Sequence, residues 1–77
     1  MSRATLPIIS GRDAVRIFEK AGWIVARQRG SHIVLTKPGA PANLSIPDHR
    51  QLDRGLLRDQ IRKAGMTMDE FVMLLRD

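Results

Sequence analysis

The chain contains no cysteine. That excludes a disulfide framework and any cysteine-ligated zinc, and makes a reducing, intracellular compartment the default. It also lacks a long hydrophobic run. The longest is "FVMLL" at Phe71–Leu75, far short of a membrane span, and the opening "MSRATLPIIS" has too brief an apolar stretch for a secretory signal. A soluble, cytoplasmic protein is therefore expected, with no membrane association. Aromatic residues make up only 4% of the chain. No glycine-rich phosphate loop is present, and no nucleophile triad can be assembled from two histidines without a cysteine.

What is abundant is positive charge. Thirteen Lys plus Arg against eight Asp plus Glu give a net charge of +5, and ten of the thirteen are arginine. The planar guanidinium suits two-pronged contact with phosphate, so the bias points to nucleic acid. An acidic protein partner would satisfy the same charge, and a merely arginine-rich proteome would produce the same count. At 77 residues and 43% hydrophobic content the chain is long enough for one modest core. One domain over 1–77 is expected, with its core at about residues 10–75.

"SGRDAVRIFEKAG" predicts a helix. Ser10 is the N-cap, with Asp13 in the capping-box position and Gly22 as the left-handed stop. Ala14, Ile17, Phe18 and Ala21 gather on one face, and Arg12, Arg16, Glu19 and Lys20 on the other. "WIVARQ" and "SHIVLTK" are β-branched runs separated by Arg29-Gly30, which predicts an antiparallel hairpin. "KPGAPAN" is a turn, and "NLSIP" a short strand that ends at Pro47. Asp53 caps a second helix whose apolar stripe is Leu56, Leu57, Ile61 and Ala64, closed by Gly65. Thr67 and Glu70 form a capping box for a last helix, with Met68, Phe71, Leu74 and Leu75 inward. The "KAG" at both Lys20–Gly22 and Lys63–Gly65 is one stop signal used twice. The fold class expected is α+β: helix, three-stranded antiparallel sheet, two helices, with the helices packed on one face of the sheet.

His32 opens the second strand. Strand alternation sends Ile33 and Leu35 to one side and His32 and Val34 to the other. With Arg29-Gly30 as a two-residue turn, Gln28 lies opposite Ser31, and Arg27 opposite His32. An imidazole there can take a proton from a ribose 2′-hydroxyl while a neighbouring guanidinium stabilises charge on the phosphate. Such chemistry cleaves RNA without a metal, giving a 2′,3′-cyclic phosphate and a 5′-hydroxyl. The plainer reading, which a lone histidine ordinarily favours, is a histidine packed beside the sheet and hydrogen-bonded to a backbone carbonyl; the company of Arg27, Arg29, Gly30 and Ser31 brings the two readings nearer to even.

Other residues give weaker signals. His49 is a second acid–base group, a partner for Asp48 or a neighbouring carbonyl, or a surface histidine, and a metal site from His32, His49 and Asp48 has no recognised spacing. Arg54, Arg58 and Arg62 form a stripe that tracks a phosphate backbone, docks an acidic partner or is a solvated helix face. Met66, Met68 and Met73 read as core filler, and Trp23 as a core residue or a base-stacking platform.

Taken in order, these residues resemble the HicA family of bacterial and archaeal toxins, the small mRNA interferases of type II toxin–antitoxin pairs. The resemblance is carried by Ser10-Gly11 through Gly22-Trp23, by Arg27 with Gly30-Ser31-His32, and by Ile46-Pro47-Asp48-His49. Gly55-Leu56-Leu57 through Ile61, Ala64 and Gly65 complete it, so that it spans Ser10 to Leu75. The chain departs from the family pattern at Leu56, where threonine is frequent, and at Ile33, where a histidine or aromatic is common.

The resemblance implies a double-stranded RNA-binding-domain-like αβββα(α) fold. It implies His32 as the catalytic residue of a metal-independent endoribonuclease that needs no cofactor. RNA contacts are expected from Arg27, Arg29, Gly30, Ser31, Lys37, Arg54 and Arg58. Single-stranded mRNA is the implied substrate, and a HicB-like antitoxin, encoded alongside and covering the active face, the implied protein partner. A non-catalytic RNA-binding or antitoxin-binding module on the same fold is the alternative.

Overall fold

Hydrophobic periodicity and local stop signals set the order of elements. The computed structural model describes residues 5–77; residues 1–4, the head of the stretch read for a leader sequence, lie outside the described residues. The elements are α1 (Gly11–Lys20), β1 (Ile24–Arg29), β2 (His32–Thr36), β3 (Leu44–Pro47), α2 (Arg54–Lys63) and α3 (Met68–Arg76). The three strands form one antiparallel sheet in the order β1-β2-β3, an α+β arrangement matching the expected αβββα(α) order. No helix among the described residues is long and apolar enough to cross a membrane.

The helix boundaries follow from single side chains. The Ser10 hydroxyl accepts the Asp13 amide of α1, and Asp53 accepts the Leu56 amide of α2. Thr67 and Glu70 satisfy each other's backbone amides at the start of α3 in a reciprocal capping box. Asp13 does not close such a box, because its carboxylate turns to Arg16 instead. Gly22 and Gly65 end α1 and α2 at φ 99° and 72°, so the repeated "KAG" is indeed a shared stop.

The core lies between the sheet and the helices. Ala14, Ile17 and Phe18 of α1 meet Ile33, Leu35, Leu44 and Ile46 of the sheet, with Leu57, Ile61 and Phe71 closing from α2 and α3. The rings of Phe18 and Phe71 sit 5.3 Å apart at 54°, a tilted pair contributing about 1 kcal/mol beyond its buried area. Leu6 and Ile9, N-terminal to the first helix, are also buried, and the Leu52 amide donates to the Ile9 carbonyl. Their short segment gave no periodicity from which to expect this. Met73 is 71% exposed and is not the core filler expected, while Met66 and Met68 are half-buried against the core.

The two sheet edges are finished differently. At β3, buried Gln60 of α2 turns its side-chain oxygen to the Ser45 amide at 3.0 Å, capping an edge donor. At β1 all six residues are exposed, and among the described residues no strand pairs along the outer edge.

Candidate functional site

His32 sits where three pieces of chain meet: the β1–β2 turn, the end of β3 and the N-terminus of α1. The turn is Gly30-Ser31, not the Arg29-Gly30 expected, because Arg29 pairs with His32 across the hairpin. Gly30 has φ 57° and Ser31 a negative φ, the pattern of a type II′ turn with glycine first. Arg27 accordingly pairs with Val34 rather than His32. The register moves by one residue on each strand, so every side chain keeps its face. Arg29 becomes the direct cross-strand neighbour of His32, and Arg27 the diagonal one.

A bulge at Ala26 completes the arrangement. Val25 pairs with Leu35, whose side chain is in the core, whereas Arg27 pairs with Val34 on the opposite face. Strict alternation would put Val25 and Arg27 on one side; the extra residue sends them to opposite sides. The open face of the sheet therefore presents Arg27, Arg29 and His32 together, all exposed. Neither arginine has a carboxylate partner among the described residues, and no hydrogen bond holds the His32 imidazole.

The corner is fixed by backbone contacts. The Asp48 amide donates to the Ser31 carbonyl at 2.5 Å, and the Gly11 amide to the His49 carbonyl at 2.8 Å. Gly11 is buried so tightly that a Cβ there would lie 1.9 Å from the Pro47 oxygen. Arg12 grips Asp48 with two parallel hydrogen bonds of 3.1 and 3.0 Å, tying α1 to the strand end. This pair is a finding of the structure: helical periodicity only places Arg12 on the polar face of α1, and the local sequence offers His49 as the partner of Asp48. A signal existed in Gly11, since glycine is costly inside a helix and is retained where a backbone approaches closely.

The remaining predicted site residues are dispersed. Ser31 and Gly30 form the turn beside His32. His49 is exposed in the same corner. Lys37 follows β2 at its far end, where its ammonium donates to the Ala21 carbonyl at the end of α1 at 3.0 Å. Arg54, Arg58 and Arg62 stand exposed along α2, which packs against β3. Trp23 is only 3% exposed and belongs to the core, so it offers no face to a base. Among the described residues, no three histidines and carboxylates converge as a metal-ligand set.

Two carboxylates have shifted acidities. Asp13 is held below its ordinary value, chiefly by its hydrogen bond to Arg16 and then by that from Ser10. Glu70 is held low by the Thr67 backbone amide and then by the Thr67 hydroxyl. Both shifts belong to helix starts rather than to the corner around His32.

Comparison with known proteins adds three findings. The family model for the "HicA toxin of bacterial toxin-antitoxin" matches residues 11–66, from the first residue of α1 to just beyond α2. A chain from a solved toxin–antitoxin complex from Streptococcus pneumoniae is similar at a TM-score of 0.67 and 29% identity, covering 75% of this chain and 98% of that one. No curated protein matches the sequence.

Proposed function

This chain belongs to the HicA toxin family of toxin–antitoxin systems, and from that membership we propose that it is a metal-independent endoribonuclease acting on mRNA and neutralised by a HicB-like antitoxin. The observation that carries the proposal is the exposed face on which His32 stands directly across from unpaired Arg29, with Arg27 one step away.

In this reading the neutral His32 imidazole removes the proton from a ribose 2′-hydroxyl. The 2′-oxygen attacks the adjacent phosphorus while the bond to the 5′-oxygen breaks. A 2′,3′-cyclic phosphate remains on one fragment, and the departing oxygen takes up a proton to become a 5′-hydroxyl on the other. Arg29, and Arg27 beside it, stabilise the charge that builds on the phosphate oxygens. General-base assistance of this kind contributes about 10²- to 10⁴-fold in rate. Gly30 and Ser31 hold the turn close to the scissile phosphate. Arg54 and Arg58 supply phosphate contacts on α2, and Lys37 contributes charge at the far end of the sheet.

One observation favours the alternative of a non-catalytic RNA- or antitoxin-binding module. Efficient histidine bases are oriented by a second group, and among the described residues no side-chain hydrogen bond reaches the His32 ring.

Expression of the wild type and of His32→Ala from a tightly controlled promoter, without antitoxin, separates the readings. Growth arrest with mRNA loss in the wild type, and neither in folded His32→Ala, is expected. With purified protein, an RNA oligonucleotide should be cut to a cyclic-phosphate end and its all-deoxy counterpart left whole. Harmless expression of both proteins with intact RNA sinks the enzyme reading.

A further inference from the structure

The unfinished edge of β1, which borders the His32 face and shares Arg27 and Arg29 with it, points to a second interaction made through backbone groups. We infer that β1 takes an added strand: an extended segment of the antitoxin partner, carrying acidic and apolar residues. The inference rests on the partner reading above.

The hydrogen-bonding geometry defines which groups are free. In a two-residue hairpin the closing pair, here Arg29 and His32, exchanges both backbone hydrogen bonds. The neighbouring Gln28 then turns its amide and carbonyl away from β2. The phase is consistent across the sheet, since Ser31 and Ser45 use the opposite groups: the Ser31 carbonyl accepts from Asp48, and the Ser45 amide reaches out to Gln60. Both edges thus expose backbone groups, yet only β3 has a side chain from α2 to satisfy one.

The side chains along β1 say what fits. At its start Ile24 and Val25 are 57% and 41% exposed, large apolar groups left in water. At its end Arg27 and Arg29 lack carboxylate partners. On the helix side, Val25 and Gln28 border a groove whose other wall is Arg12, Val15, Arg16 and Glu19 of α1. A second copy of the chain is a poor occupant. Antiparallel self-pairing would bring Arg27 and Arg29 against their counterparts, and like charges directly opposite destabilise a sheet. An acidic strand reverses that sign, and apolar residues at its other end cover Ile24 and Val25. Main-chain bonds give such strand addition its affinity, and alternate side chains give it specificity.

Amide hydrogen exchange on the full chain, free and in complex with the antitoxin encoded beside it, is the direct test. Exchange at Gln28 and Val25 should slow by about tenfold or more in the complex. Gln28→Pro, which removes the outward amide, should weaken antitoxin binding by about tenfold, and Val25→Glu should weaken it by charge repulsion. Should Gln28→Pro fail to fold, a short acetylated peptide alternating valine and glutamate replaces it as the backbone test. The plain peptide should bind the wild-type chain, and its form N-methylated at alternate residues should not. Equal binding of both peptides would mean charge attraction alone and would overturn the proposal. A complex in which β1 exchanges as fast as in the free chain overturns strand addition but leaves the partner reading standing. If the two proteins do not associate, the partner reading fails and strand addition falls with it. A homodimer dissolved by Gln28→Pro would assign the edge to a second copy, against the inference.

Discussion

Gly11 shows how one missing methyl can carry a site. On an ordinary helix surface, replacing glycine by alanine stabilises by about 1 kcal/mol. Here the added Cβ would sit 1.9 Å from the Pro47 oxygen and 3.3 Å from the Asp48 Cα, both backbone atoms that cannot swing aside. The clash outweighs the propensity gain, so Gly11→Ala should destabilise the chain by about 2 kcal/mol, a typical cost of overpacking. Urea unfolding measures this, and a more stable variant would show that the corner yields easily. Pro47 pairs with His32 across the sheet, and Asp48 bonds to the turn before it. The same substitution should therefore lower RNA cleavage measured on the folded fraction. His32→Ala, by contrast, alters no packing contact of the core and should leave stability within about 0.5 kcal/mol, as exposed substitutions usually do.

Among the elements, α3 is the one that local rules explain most fully. The reciprocal bonds of Thr67 and Glu70 satisfy two amides that the helix itself cannot, and Phe71 one position on enters the core against Phe18. Thr67→Ala should cost about 1 kcal/mol. The Glu70 carboxylate is held below its ordinary pKa by the amide it accepts, so its contribution is complete above the usual glutamate value and is lost as pH falls through the lowered one. Wild-type stability should then decline more steeply than that of Glu70→Gln below about pH 4.5. Asp13, shifted in the same direction, keeps some slope in both proteins. Parallel melting curves across that range would mean that Glu70 does not act as described.

The capping box was legible in the sequence because its partners lie three residues apart. The hairpin was legible only in part. A glycine with positive φ fits either the second position of a type I′ turn or the first of a type II′ turn, so Arg29-Gly30 and Gly30-Ser31 compete. Both registers keep Arg27 and His32 on the open face, and hydrophobic alternation cannot choose between them. The bulge at Ala26 and the capping of Ser45 by Gln60 depend on contacts between distant segments, which no local pattern encodes. The same limit hid Arg12 and Asp48, whose partnership spans 36 positions. What was readable was that His32 and Arg27 share the open face of the sheet; what was not was the frame that fixes them.

At the scale of the whole molecule the proposed ribonuclease function raises the question of which arginines an RNA strand would follow. Two paths are available. One crosses the open sheet face past Arg29 and Arg27, and the other runs along Arg54, Arg58 and Arg62 on α2. Two carboxylates already occupy Arg12 and Arg16, whereas Arg27 and Arg29 are unpaired and flank His32. A strand positioned for attack at His32 must pass these two, so the sheet face should carry the larger share of the electrostatic binding. For single-stranded nucleic acid each neutralised phosphate adds about 0.7 to the slope of log affinity against log salt. Removing both charges as Arg27→Gln/Arg29→Gln should lower that slope by about 1.4, while Arg54→Gln/Arg58→Gln should lower it by less than half as much. Lys37→Gln should change it least, because that ammonium already serves the end of α1. The measurement uses the His32→Ala chain and a fluorescent RNA oligonucleotide, titrated across a range of salt. Equal losses from the sheet and the helix pairs would mean that RNA wraps across both. A dominant loss from the helix pair would move the RNA path to α2, and His32 would then lie off the strand it is proposed to cut.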